Sequence, residues 1–335
     1  MSDNGRREFI ALLGGMSVLW PLAARAQQPT TRVHRIGILA AGSMASRQRP
    51  FEAFAERLRD LGWVDGRNLG IEYRSAEGCG DCFPELAAEL VRLKVDVIVA
   101  LGTPAALAAK QAAAGVIPIV ASVGDAVGSG LVASLARPTS NITGVSDLTA
   151  ELSGKRLEML KEAVLGLARV AVLWNATNPG AARTWQETEA AANTLGLEVY
   201  SAAVRNPEEF DQAIAGAAMV LRPPVPSALL IAQDPLTLTY RDRIVGLVAK
   251  TGLPAMYGFR EFVEAGGLMS YAADLTDNYR TLATFVDKVL RRVPPADLPV
   301  QQPIKFELII NLKTARAIGL TVPPTLLARA DEVIE

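Results

Sequence analysis

Three short stretches place a hydrogen-bonding side chain and a proline directly after an apolar run rich in branched residues. They are Gly102-Thr103-Pro104 after residues 96–101, Asn175-Ala176-Thr177-Asn178-Pro179 after 170–174, and Gln233-Asp234-Pro235 after 228–232. Thr, Asn or Asp followed by Pro is the pattern of a helix start, with a capping side chain and Pro at the first helical position. The first N–H groups of such a helix are unpaired and carry partial positive charge, which suits a carboxylate. Thr103, Asn178 and Asp234 are therefore candidate ligand residues, although each can equally do no more than satisfy its own helix end. Asn206-Pro207-Glu208-Glu209 reads as a fourth cap, on an edge strand, and is set aside.

Other strand ends add candidates. Ser43, after Ala41-Gly42, offers a hydroxyl, or is part of a flexible loop. In Ser122-Val123-Gly124-Asp125, Gly124 and Asp125 follow an apolar run; Asp125 could neutralise a ligand ammonium or close an Asx turn. Tyr257 opens Tyr257-Gly258-Phe259-Arg260-Glu261 and could pack against a ligand with its hydroxyl free, with Arg260 and Glu261 as a structural ion pair. Trp174 reads as core rather than cavity wall.

Catalytic chemistry has little to work with. The single His34 stands at the start of the first strand, the edge opposite these loops. No GxxxxGK[ST], GxSxG or HExxH occurs, and no strand leads into GxGxxG; residues 124–130 carry glycines at the wrong spacing for a dinucleotide loop. Nothing in the spacing requires an Asp125–Glu261 dyad. Neither a catalytic residue nor a cofactor is expected. Cys79-Gly80-Asp81-Cys82 could close as a local disulfide, exchange thiols or hold a metal. No second CxxC completes a metal site and no thioredoxin-like surround is visible, so the reading is a local disulfide or idle thiols.

The elements that must carry these loops alternate regularly. Residues 33–38, 69–73, 96–101 and 117–121 read as strands, with helices over 50–61, 84–93 and 104–113 between them. The pattern restarts with a helix at 153–165, then strands at 170–174, 197–201, 228–231, 254–257 and 267–271. Helices at 179–195, 207–217 and 235–251 lie between, followed by a long amphipathic helix over 274–290. Repeated βαβ units imply parallel sheets covered on both faces, with the loops above at their carboxyl edges, where doubly wound folds bind ligands. The class is α/β, as two similar lobes with a boundary near residues 145–148. Residues 306–312 form a further apolar segment, and 313–318 a short helix.

The start of the chain is an address. Arg6-Arg7 precedes an apolar stretch to about Ala24, and Ala24-Arg25-Ala26 supplies the small residues a signal peptidase reads. The run is shorter than the ~20 residues that span a bilayer. Residues 1–26 are expected to be a twin-arginine signal peptide cleaved before Gln27, leaving a soluble periplasmic chain. That leaves 309 of 335 residues, enough for two lobes. A net charge of −1 argues against a nucleic-acid partner.

Several blocks resemble the substrate-binding proteins of ABC importers, of the type I periplasmic fold, and most closely the subgroup with tryptophan- and phenylalanine-binding members. They are the signal segment, "LGTPAALAAK", "GLVASLARPTSNITG", "REFVEAGGLMSY" and the long tail "ADLPVQQPIKFELIINLKTARAIGLTVPPTLLARADEVIE". The resemblance covers nearly the whole chain. Its departures are the Cys79–Cys82 loop, where such proteins carry a Cys-free polar loop, and "RPTSN" in place of a Gly-Gly turn. It implies two lobes joined by a multi-segment hinge, residues 33–147 with 272–299 and 148–271 with 300–335. It also implies a ligand between them that Ser43, Thr103, Gly124, Asp125, Asn178, Asp234 and Tyr257 face. For an amino-acid-like ligand, Thr103 and the helix starts would take the carboxylate, and Asp125 or Asp234 the amine.

The expected function is solute capture for an ABC importer: a monomeric receptor delivers a small organic molecule, an amino acid or aromatic carboxylate, to a permease served by an ATPase. The rivals are a ligand-sensing subunit of a signalling system and a secreted enzyme using the same crevice. A transcription regulator of this fold would need a helix-turn-helix where the signal peptide stands.

Overall fold

Apolar runs too short for helices set two sheets. The computed structural model describes residues 32–335, so the expected signal peptide and its cleavage point lie outside the described residues. The first half runs β1 (His34–Ala40), α1 (Gln48–Asp60), β2 (Leu69–Ser75), α2 (Phe83–Arg92), β3 (Val97–Leu101), α3 (Thr103–Ala113), β4 (Ile119–Val123) and β5 (Ile142–Ser146). Its strands pair in the order β2-β1-β3-β4-β5, all parallel. Parallel neighbours need a crossover rather than a tight turn, and the helices supply it. Strands β3, β4 and β5 are buried at every residue, as strands covered on both faces must be.

The second half runs α4 (Ser153–Ala163), β6 (Arg169–Asn175), α5 (Pro179–Leu195), β7 (Glu198–Val204), α6 (Phe210–Val220), β8 (Ser227–Ile231), α7 (Pro235–Thr239), α8 (Arg241–Thr251), β9 (Ala255–Tyr257), α9 (Arg260–Glu264) and β10 (Met269–Ala273). After α10 (Leu275–Leu290) come β11 (Phe306–Asn311), α11 (Leu312–Ala317), α12 (Pro324–Leu327) and β12 (Glu332–Ile334). The sheet order is β12-β11-β10-β9-β8-β6-β7, parallel except for the β10–β11 pair. The apolar segment expected at 306–312 is thus a strand, antiparallel because the chain returns to this sheet from the other lobe.

One expected helix is two. Residues 235–251 break at Tyr240, whose φ is −106° and ψ 23°. In Leu236-Thr237-Leu238-Thr239, the threonine hydroxyls donate back to the carbonyls of Asp234 and Pro235, at 3.0 and 2.7 Å, a pattern that bends helices.

Helix α10 leaves β10 and covers the first sheet, where Tyr279, Leu282, Phe285 and Val286 join Ile36, Ile38, Phe54 and Leu58 in one core. The chain therefore passes between the sheets three times: after β5, at Asp274, and ahead of β11. The first and third crossings are tied, since Ser146 N donates to the Gln301 carbonyl and Gln301 N to that of Gly144, both at 2.9 Å. Each lobe has apolar clusters on both faces of its own sheet. Among the described residues no helix is long and apolar enough to cross a membrane.

Candidate functional site

The carboxyl ends of β3 and β4 meet those of β6, β8 and β9 around a narrow cavity of about 40 Å³ between the lobes. The crossing segments close its hinge side through Asp147, Thr149 and Leu275, and Arg47 and Tyr279 stand beside them.

The helix starts hold this geometry in two different ways. Asn178 Oδ1 accepts from Gly180 N at 3.0 Å and Asp234 Oδ1 from Leu236 N at 2.7 Å, so both side chains cap their helices. Asn178 Nδ2 also donates to Asp234 Oδ2 at 2.6 Å, and Asn175 Nδ2 to Asp234 Oδ1 at 3.2 Å, which locks the two loops together. Burial pushes the Asp234 carboxyl above its usual range, against these donors. At α3 the expected cap is corrected: Gly102, not Thr103, is the N-cap, with φ of +108°. Only glycine takes that angle without strain. Thr103 is the first helical residue, buried, its hydroxyl beside Gly180 of the other lobe. Asn206 holds the N-cap position of the turn 207–209 without a side-chain cap bond; the Glu209 carboxylate accepts from Arg205 N at 2.8 Å and from Asn206 Nδ2 at 3.3 Å.

Of the seven candidate ligand residues, Thr103, Gly124, Asn178 and Asp234 line the cavity. Ser43, Asp125 and Tyr257 do not. Ser43 turns inward on a local loop, its hydroxyl accepting from Ser46 N at 3.3 Å. Asp125 Oδ1 accepts from Gly128 N at 2.8 Å, closing an Asx-type turn, and Oδ2 lies 3.0 Å from Arg183 Nη1 across the lobes. Tyr257 is 1% exposed and stacks on Phe262 at 4.9 Å in the second lobe's core. Arg260 pairs with Glu264, Glu307 and Glu332, binding α9 to β11 and β12, and not with Glu261 as expected. Trp174 is half-buried, stacks on Trp185 and donates to Ser201 Oγ at 2.8 Å, on the second lobe's own surface. His34 sits far from the cavity, 3.7 Å from Asp96 and edge-on to Trp63.

The buried charges in the cavity, Arg47 and Asp147, and Arg156 behind it escaped the sequence reading. Arg47 is 7% exposed; its Nη1 donates to the Tyr279 hydroxyl at 3.2 Å, while Nε and Nη2 are buried without a partner. Asp147 accepts from Ser122 Oγ at 3.2 Å and Asn278 Nδ2 at 2.7 Å, and burial raises its carboxyl to about 7. Arg156, fully buried, donates to the Tyr271 carbonyl at 2.9 Å, the Thr149 carbonyl at 3.2 Å and Gln233 Oε1 at 2.8 Å. Burial lowers its guanidinium to about 10. An Asp at the end of the apolar run 142–146 is a signal that could have been read. Arg47, inside Ser46-Arg47-Gln48-Arg49, has no mark that separates it from its exposed neighbour. The arrangement offers an unpaired guanidinium edge and an acidic group beside one buried cavity, which can hold opposite charges of one molecule.

Cys79 and Cys82 are joined by a disulfide at the outer edge of the cleft. Among the described residues no group of three His, Cys, Asp or Glu side chains could hold a metal.

A family model for ABC transporter substrate binding proteins matches residues 35–334. The tyrosine-binding protein of Clostridioides difficile (strain R20291) is 25% identical over 285 residues, 85% of this chain and 81% of that protein. An ABC domain from Streptococcus pneumoniae, solved with L-Trp, superposes with a TM-score of 0.82 at 25% identity, over 90% of this chain and 99% of that one. The ligand-free, open structure of a substrate binding protein from Clostridium difficile matches over 90% of this chain and 99% of its own, at 23% identity, with a TM-score of 0.63.

Proposed function

The chain belongs to the ABC transporter substrate-binding protein family, and on that premise we propose that it captures an aromatic amino acid between its lobes. It works outside the cytoplasmic membrane as a monomer and passes the ligand, chemically unchanged, to a permease driven by a cytoplasmic ATPase. The observation that carries the ligand class is Arg47: it lines the same cavity as Asp147, and two of its guanidinium nitrogens are buried without partners. A buried, unpaired donor pair is costly unless an acceptor arrives, and a carboxylate fits a guanidinium edge bidentately. The α-carboxylate goes to Arg47 and the α-ammonium to Asp147. Leu238, Phe259, Leu275 and Tyr279 supply the apolar wall for a ring. Relatives that bind tyrosine and tryptophan support the aromatic choice.

The test is thermal unfolding of the mature protein against the amino acids. A ligand at 100 times its dissociation constant adds about 2.7 kcal/mol. L-tyrosine, L-tryptophan or L-phenylalanine is expected to give that shift, and Arg47→Gln to abolish it while the unliganded protein stays folded. A shift that survives Arg47→Gln unchanged removes the assignment.

A further inference from the structure

The disulfide loop is the part of the chain with no role so far. It follows β2, and its backbone is fixed to its own lobe: Gly78 N donates to the Ala41 carbonyl at 3.0 Å and Cys79 N to that of Ala76 at 2.8 Å. Glu77 and Gly78 both have left-handed backbones, with φ of +46° and +85°. The bond between Cys79 and Cys82 closes the turn directly after them. Such a run holds its shape only where its surroundings determine it.

Three segments of the second lobe clasp this loop. The Tyr240 hydroxyl donates to the Glu77 carbonyl at 2.9 Å. A Cβ at Gly78 would lie 2.7 Å from the Tyr240 ring and 3.2 Å from Pro207, so the loop backbone fits directly beneath that ring. Gly80 packs toward Thr177, with 3.7 Å between an added Cβ and Thr177 Oγ. Tyr240 is also the residue at which the expected long helix breaks in two, and the break separates α7, capped at the cavity by Asp234, from α8. Behind the loop lies a second inter-lobe space of about 470 Å³, which shares Leu101, Asp234 and Pro235 with the ligand cavity. The loop therefore lines an inter-lobe space that adjoins the ligand cavity.

We propose that the disulfide-closed loop 77–82 is the latch of the cleft: clasped by Tyr240, it holds the lobes shut and sets how long the ligand stays. This rests on the reading of the chain as a two-lobe amino-acid receptor. A latch made only in the closed state stabilises that state and leaves the open one untouched. It therefore acts on dissociation and not on encounter.

The experiment compares the wild-type mature protein with Cys79→Ser/Cys82→Ser and with Tyr240→Phe, using L-tryptophan and L-tyrosine as probes in stopped-flow fluorescence. Removing the latch is expected to raise the dissociation rate about tenfold, the worth of roughly one net hydrogen bond, and to leave the association rate within about twofold. Tyr240→Phe keeps the disulfide and the fold, and is expected to move the same rate in the same direction. Dissociation rates equal to wild type in both variants overturn the proposal. So does a change in association alone. Small-angle scattering of the unliganded proteins gives a second readout: both variants are expected to have the larger radius of gyration, and identical radii overturn the latch. If neither probe binds the wild type while the radii differ as expected, the ligand assignment falls and the latch stands.

Discussion

Arg156 Nη2 donates to Gln233 Oε1 at 2.8 Å, and both residues are buried. Arginine has no acceptor, so the atom it meets must be the amide oxygen. The amide nitrogen of Gln233 is then the end left for the cavity that Gln233 lines. The same guanidinium holds the carbonyls of Thr149 and Tyr271, on two of the three segments near the hinge. One side chain thus links the hinge to the orientation of a donor at the cavity.

Arg156→Met should therefore damage stability and binding together. It orphans three buried acceptors, each costing about 1–3 kcal/mol. A marked fall in thermal midpoint is expected, with weaker L-tryptophan binding. Gln233→Glu separates the two effects: it gives Arg156 a carboxylate and keeps the midpoint, but removes the donor from the cavity and lowers affinity by about tenfold. Calorimetric titration and thermal unfolding of both variants check this. A Gln233→Glu variant that binds as wild type rules the donor role out.

Asp147 predicts a pH dependence whose sign is opposite to that of a salt-bridged carboxylate. Burial raises it from 3.8 to about 7, so the folded, unliganded protein binds more protons than the unfolded chain between those values. Its contribution to stability is full below about pH 4 and is lost as pH rises through about 7. A bound ammonium reverses the preference, because it favours the ionised form. Affinity should hence fall below about pH 7, approaching tenfold per unit, with one proton released on binding near pH 6. Asp147→Asn should bind weakly and without that slope. Titrations in buffers of different ionisation heat count the proton directly.

Gly102→Ala tests closure. At φ of +108° any side chain is strained, and the new Cβ would lie 2.5 Å from Pro235 Cγ in the facing lobe. The first effect costs about 1–3 kcal/mol in every state, while the second exists only when the lobes meet. L-tryptophan affinity should fall by more than the thermal stability of the unliganded protein accounts for, and scattering should show a more open average. Equal compactness with and without the substitution would count against contact between these two turns.

How much of this was legible can be judged residue by residue. The caps at Asn178 and Asp234 were readable because capping is local: side chain and amide are two residues apart. Thr103 misled because the same local grammar admits a glycine N-cap one residue earlier. The break at Tyr240 was missed although Thr237 and Thr239, whose hydroxyls bond back along the helix, were a local sign of it; the bond from Tyr240 to Glu77, 163 residues away in the other lobe, had no such sign. Asp125 reads alike whether its partner is a ligand or Arg183, and only the facing lobe decides.

The sequence by itself determined the class and the layout. Alternating apolar runs and amphipathic stretches dictate parallel sheets with helices on both faces, and the strand ends mark where a cleft must lie, because period and capping depend on neighbours a few residues apart. Tertiary structure alone decided which side chains own the cleft. Arg47, Asp147 and Gln233 come from separated parts of the chain, and their burial and pairing arise only when α10 covers the first sheet and the two lobes close. The state of a buried charge is a property of that packing, since desolvation depends on everything that surrounds a group and not on its place in the chain.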